Sequence, residues 1–211
     1  MPIRFRLAKA SDVKQIAELH YRVRDTYSVG YFAQMGFSFL KRYYKIVLDD
    51  PYEVVVCAED DGIVCGFFSA SLDINKQMER LNKKKWLLLI AAIPSFILRP
   101  SLIRATYKRY RVSRHQDDER LLPKEGARSE YWMWDASNRN SSNSVALWNT
   151  SLDILYKLGV KKFPIDVDDV NQKVMKFHLL NKAVVKEHIK LSDGRERTIL
   201  EYDLAERFGK K

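Results

Sequence analysis

The sequence predicts a single α/β domain, residues 1–211, built on a mixed sheet with one helical insertion, and three features carry that expectation. Short β-rich runs alternate with helical periodicities through the second half of the chain, the pattern of a mixed sheet rather than of segregated halves. Two turn signals, Glu59-Asp60-Asp61-Gly62 and Ser192-Asp193-Gly194, place Asp-Gly where a tight hairpin needs residues that tolerate positive φ. A basic and apolar stretch at about 74–128 interrupts the pattern, and Glu130 resumes it.

Taken in order, Ile3 to Leu7 reads as the first strand. Ser11-Asp12 supplies a helix cap, and Val13, Ile16, Ala17 and His20 follow at helical spacing to about Arg24. Phe32 to Leu48 predicts one second helix, with Met35, Phe39, Leu40, Tyr43 and Val47 on one side. Glu53 to Ala58 and Ile63 to Ser71 form a hairpin. After the insertion come a strand over Glu130 to Asp135, a polar loop from Ala136 to Asn143, and a helix from about Ser144 to Leu158 that stops at Gly159. A strand over Lys162 to Val167, a helix over Val170 to Asn181, and two strands, Ala183 to Lys190 and Arg197 to Asp203, complete the chain.

Composition narrows the class. With 46% hydrophobic and 30% charged residues this is a folding chain, not a disordered one. Two cysteines, Cys57 and Cys65, are too few for a disulfide framework and have no metal-ligand spacing, so they read as buried free thiols in a reducing compartment. The N-terminus lacks the apolar core of a signal peptide, and a cytoplasmic location is expected. The net charge of +10 is concentrated: residues 75–128 hold fourteen Lys/Arg against five Asp/Glu. One segment therefore faces an anionic partner, whereas a nucleic-acid binder would spread basic residues over its main elements with stacking aromatics among them.

Two motifs carry more specific information. The first is Trp134-Asp135-Ala136-Ser137-Asn138-Arg139-Asn140-Ser141-Ser142-Asn143-Ser144, a strand end, a polar loop and a helix start. The second is Asn171-Gln172-Lys173-Val174-Met175-Lys176-Phe177-His178, a later helix. Together they resemble the GNAT superfamily of N-acetyltransferases, whose fourth strand leads into a pyrophosphate loop, R/Q-x-x-G-x-G/A, and whose later helix carries Asn and Phe-Tyr. Arg139, Asn171 and Phe177 match; Ser142 and Ser144 replace the two glycines, and His178 replaces the tyrosine. The resemblance covers most of the chain outside the insertion. It implies a mostly antiparallel central sheet flanked by helices, with the insertion between strands three and four.

That resemblance also implies direct acyl transfer from acetyl-CoA to a primary amine of a small molecule. Trp134, Arg139, Ser141, Ser142, Asn143, Ser144, Asn171 and Phe177 are the expected cofactor-binding positions. A helix N-terminus suits a pyrophosphate because its first N–H groups are unpaired and its dipole end is positive. Serine keeps the backbone accessible but tolerates positive φ poorly. A backbone N–H near Trp134 would polarise the thioester carbonyl. His178 stands where the family's tyrosine protonates the thiolate, while a packed, inert histidine is the alternative. Glu130, Asp135 and Asp73 are candidate bases, or solvated strand-end carboxylates. An amino-sugar, phosphorylated or lipid-linked acceptor would suit the basic insertion. A longer-chain acyltransferase and a non-catalytic acyl-CoA-binding or assembly module remain alternatives.

Inside the insertion, Lys83-Lys84-Lys85 precedes thirteen uncharged residues, Trp86 to Leu98, with Arg99 following. This falls short of the roughly 20 residues a helix needs to span a bilayer, and Pro94 disfavours one straight helix. The segment 83–114 is left with two readings: packing on the fold or in a homodimer, or peripheral contact with an anionic membrane at its inner face.

Overall fold

The computed structural model describes residues 3–23, 31–114, 125–135, 137–138, 140–191, 194 and 196–209, with the side chains of 23, 108–114 and 141 excepted. Strands β1 (Arg4–Leu7), β2 (Glu53–Asp60), β3 (Ile63–Ser71) and β4 (Arg128–Trp134) form one antiparallel sheet in sequence order. Strands β5 (Lys162–Asp168), β6 (Val184–Lys190) and β7 (Glu196–Asp203) form a second antiparallel sheet in the order β5-β7-β6. β4 and β5 lie alongside each other, yet no ladder joins them. The expected mostly antiparallel sheet is therefore present, parted in the middle.

Period-two alternation sorts each strand's side chains onto two faces. On one face, Val54, Val56, Phe68, Ala70 and Trp132 pack with Leu147, Trp148, Leu152 and Leu155 of helix α7 (Ser141–Lys157). On the other, Val55, Cys57 and Phe67 pack with Ile16 and Leu19 of α1 (Val13–Val23). Cys57 and Cys65 are free and buried, as expected.

The expected helix over Phe32–Leu48 is broken into α2 (Tyr31–Gln34) and α3 (Phe37–Val47). Gly36 has φ 87°, outside helical geometry, and is the N-cap of α3. The insertion fixes this break: Ser95 Oγ sits where a Cβ on residue 36 would go and donates to Met35 O at 2.7 Å. Periodicity continues through the break because both pieces bury the same side.

The insertion comprises α4 (Ile74–Lys83), α5 (Lys85–Leu98) and α6 (Ser101–Arg114), with 115–124 outside the described residues. α5 continues through Pro94, against expectation. The proline removes one helical donor, the partner of the Ile90 carbonyl. Ile90 lies on the exposed side of α5. A further helix, α9 (Leu204–Phe208), follows β7, and α8 (Gln172–Leu180) lies between β5 and β6.

Candidate active site

A cleft of about 430 Å³ lies between β4 and β5, closed by α1, α2 and α8. β4 shapes it twice. Its register with β3 shifts so that Ser69 faces Tyr131 and Ala70 faces Ser129, leaving Glu130 as the extra residue of a β-bulge. Such a bulge re-aims side chains, and Glu130 lines the cleft.

Beyond the bulge, the other edge of β4 is unpaired. Asp135 N–H donates to Cys65 O at 2.8 Å, which marks Asp135 as a residue bonded toward β3. Antiparallel pairing alternates bonded and non-bonded residues. Met133 and Tyr131 therefore also point their N–H groups at β3, and those of Trp132 and Trp134 turn toward β5, with which no ladder forms.

Glu130 lines this cleft together with Asp166 and Asp168. Its side chain is 12% exposed and lies 3.4 Å from the Arg128 guanidinium. Burial pushes its carboxyl above the ordinary range, Arg128 pulls it back, and Asp166 across the cleft adds to the rise. Asp166 and Asp168 on β5 share one face, and Arg197 of β7 bridges them, its Nε 2.5 Å from Asp168 Oδ1. His20 of α1 contributes a neutral ring beside Tyr131, its Nδ1 2.7 Å from the Tyr44 hydroxyl. Burial pulls the His20 pKa down to about 3.

His178 lines the same cleft from α8 at 3% exposure. Its Nδ1 lies 2.8 Å from the Tyr202 hydroxyl, and Trp132, Trp148 and Phe177 surround the ring. Burial pulls its pKa down to about 4, so the imidazole is neutral at physiological pH. It can donate through one ring N–H, but it cannot act as a charged acid.

Glu130 and His178 thus line one cleft, and Asp135 lies outside its lining. Asp135 accepts from the Ser137 N–H at 2.9 Å and hydroxyl at 2.7 Å, and pairs with Arg22 at 2.7 Å. Burial raises its carboxyl, but these partners outweigh that and hold it below the ordinary range. Asp73 caps α4, accepting from the N–H groups of Asn75 and Lys76.

Of the expected cofactor positions, Arg139 lies outside the described residues. Ser141, Ser142, Asn143 and Ser144 form the first turn of α7, with Asn140 as its N-cap; the Ser141 side chain is not described. No positive φ occurs at Ser142 or Ser144, so serine carries no backbone strain there. The Ser142 hydroxyl hydrogen-bonds Asn140 Oδ1. Trp134 closes the intervening loop through Nε1–H to Asn138 O at 2.8 Å. Asn171 caps α8, accepting from Val174 N–H, and lines the cleft. Phe177 packs on Trp132 with ring centres 5.1 Å apart. Asn143 N–H donates to the Asn140 carbonyl at 3.2 Å, and the α7 amides ahead of it have no helical acceptor of their own.

The sequence reading missed Arg128, Asp166, Asp168 and Arg197. The i, i+2 spacing of the two aspartates placed them on one face, but only the cross-strand arginine shows which face is polar. Among the described residues no group of His, Cys, Asp and Glu could hold a metal ion. No helix among them is long and apolar enough to cross a membrane.

No family model matches this sequence, and no curated protein matches it. Solved structures do. An N-acetyltransferase from Staphylococcus aureus Mu50 superposes with TM-score 0.61 at 13% identity, covering 97% of this chain and 99% of that one. PaiA N-acetyltransferase from Thermoplasma acidophilum, in complex with coenzyme A, gives 0.59 at 13% identity, covering 96% and 99%. A chimera of the spermidine N-acetyltransferase SpeG, from Vibrio cholerae and hSSAT, gives 0.60 at 12% identity, covering 98% of each chain. This chain has the fold of the GNAT N-acetyltransferases.

Proposed function

We propose that this protein is an acetyl-CoA-dependent N-acyltransferase that acetylates a primary amine of a small molecule by direct transfer. One observation carries the reading: the unpaired edge of β4 and the buried carboxylate of Glu130 open into the same cleft. The first turn of α7, entered from the end of β4, offers backbone donors suited to the pyrophosphate of coenzyme A.

The residues divide the work. The N–H of Trp132 or Trp134 donates to the thioester carbonyl oxygen as negative charge develops there. Glu130 accepts the proton that the ammonium must lose before its nitrogen can attack, and its raised pKa makes it a better base than a free carboxylate. The amine nitrogen bonds to the carbonyl carbon, the carbon–sulfur bond breaks with its electron pair leaving on sulfur, and the second proton shed by the nitrogen ends on that sulfur as the free thiol. His178, neutral, donates a ring N–H toward the leaving thiolate while Tyr202 orients it through Nδ1. Such help is modest, because a thiol pKa of about 8.5 makes the thiolate a fair leaving group. Asp135, held ionised by Ser137 and Arg22, shapes the loop between β4 and α7.

The test is release of free thiol from acetyl-CoA across a panel of small primary amines, polyamines and amino sugars included. Amine-dependent release that Glu130→Gln abolishes is expected. Release with no amine in the panel, or undiminished turnover in the variant, refutes the reading.

A further inference from the structure

Helix α5 is apolar on both sides, and only one side is covered. Leu88, Ala92 and Phe96, at helical spacing, pack against the core beside α3. The opposite stripe, Trp86, Ile90, Ile93 and Ile97, is 67%, 63%, 49% and 74% exposed. Leu98 at 81% and Ile103 at 52%, at the turn into α6, extend the patch. A helix apolar all round is ordinarily buried all round, and a contiguous exposed apolar face marks an interaction surface.

Charge decides what covers it. Lys83 and Lys85 stand exposed at one end of α5, and Arg99 and Arg104 at the other. The segment 75–128 holds fourteen Lys/Arg against five Asp/Glu. A second copy of the chain would bring two such segments face to face, and like charges crowded together oppose association. An apolar stripe with Trp at one end and a basic rim matches the interface of an anionic bilayer, which accepts the side chains among its acyl chains and the cations among its headgroups.

We propose that the exposed face of α5 and the start of α6 docks on anionic membrane surfaces, with Trp86, Ile90, Ile93 and Ile97 inserted and Lys83, Lys85, Arg99 and Arg104 against the headgroups. The proposal stands on exposure and charge and is independent of the acyltransferase reading. It has a consequence for the cleft. The Tyr31 hydroxyl of α2 hydrogen-bonds Thr106 of α6, and Tyr31 and Phe32 line the cleft. The docked helix α6 is therefore in direct contact with a wall of the cleft.

The experiment is flotation of the full chain with vesicles of phosphatidylcholine alone and of phosphatidylcholine with phosphatidylglycerol. Binding only to the anionic vesicles, weakened by salt, is expected. Two paired variants test the face: Ile90→Ser with Ile97→Ser, and Lys85→Glu with Arg99→Glu, each checked for unchanged thermal unfolding. Losing a basic contact weakens binding about fivefold per residue, and losing an inserted Ile about tenfold. Absent binding, equal binding to both vesicles, or full binding by both variants overturns the proposal. A concentration-dependent dimer that Ile90→Ser with Ile97→Ser dissociates, without vesicle binding, also overturns it and assigns the face to self-association.

Discussion

Glu53 of β2, whose carboxyl is buried within reach of the charge of Glu130, offers a quantitative check on the effect of burial. Both of its carboxyl oxygens are buried. Burial pushes its pKa from 4.5 up to about 9, the nearby charge of Glu130 adds to the rise, and Ser71 and Gln77 offset it only in part. The folded protein therefore keeps the proton that the unfolded chain releases above its ordinary value. The stabilising proton is fully retained at low pH, and its advantage is lost as pH rises toward 9. Each pH unit in that window is worth about 1.4 kcal/mol, so stability falls by about 2 kcal/mol between pH 7 and pH 8.5. That window lies above the unperturbed histidine pKa of 6.5, so His20 and His178 contribute little to the slope. Urea denaturation at the two pH values measures it. Glu53→Gln removes the titrating group while keeping its shape, and should flatten most of the decline. A wild type whose stability is level across the window, or a variant with the same decline, refutes the burial argument.

Three further outcomes are expected. The kcat/KM of the wild type should fall with decreasing pH through a carboxyl pKa raised above the ordinary glutamate range, since protonated Glu130 cannot accept a proton; Glu130→Gln should lower the plateau by about 10²–10⁴ and erase that limb. On the acid side, His20 and His178 have folded pKa values of about 3 and about 4 against 6.5 unfolded, so the unfolded chain takes up protons first and stability drops by about 2 kcal/mol for each between pH 6.5 and pH 5; stability curves in His20→Gln and His178→Gln should lose that share. At Gly66, a Cβ would run into the Trp134 ring across the strand pair, so Gly66→Ala should displace Trp134, seen as a changed tryptophan emission, and cost about 1–3 kcal/mol in thermal unfolding.

Much of the fold was legible because its strands carry their own periodicity. Val54 to Ala58 and Phe67 to Ala70 alternate between two cores, and Asp61-Gly62 marks their turn through positive φ at both residues. The order of elements and the position of the insertion followed from such local signals. What local periodicity could not reveal was anything set by a partner distant in sequence. The break at Gly36 depends on Ser95, and the bulge at Glu130 depends on the register of β3. The candidate site divides the same way. Glu130 and His178 were named from the sequence, and the structure brings both to one cleft. Arg197 and its two aspartates, held together across β5 and β7, were not readable because cross-strand register is not a property of either strand alone.

The central claim is that the parted edge of β4 and the start of α7 form an acyl-CoA site, and calorimetric titration of the full chain with acetyl-CoA tests it most directly. Saturable binding at one site is expected, with thermal stability rising by about 2.7 kcal/mol at a ligand concentration of about 100 times Kd. Absence of both heat and stabilisation at millimolar acetyl-CoA would contradict it.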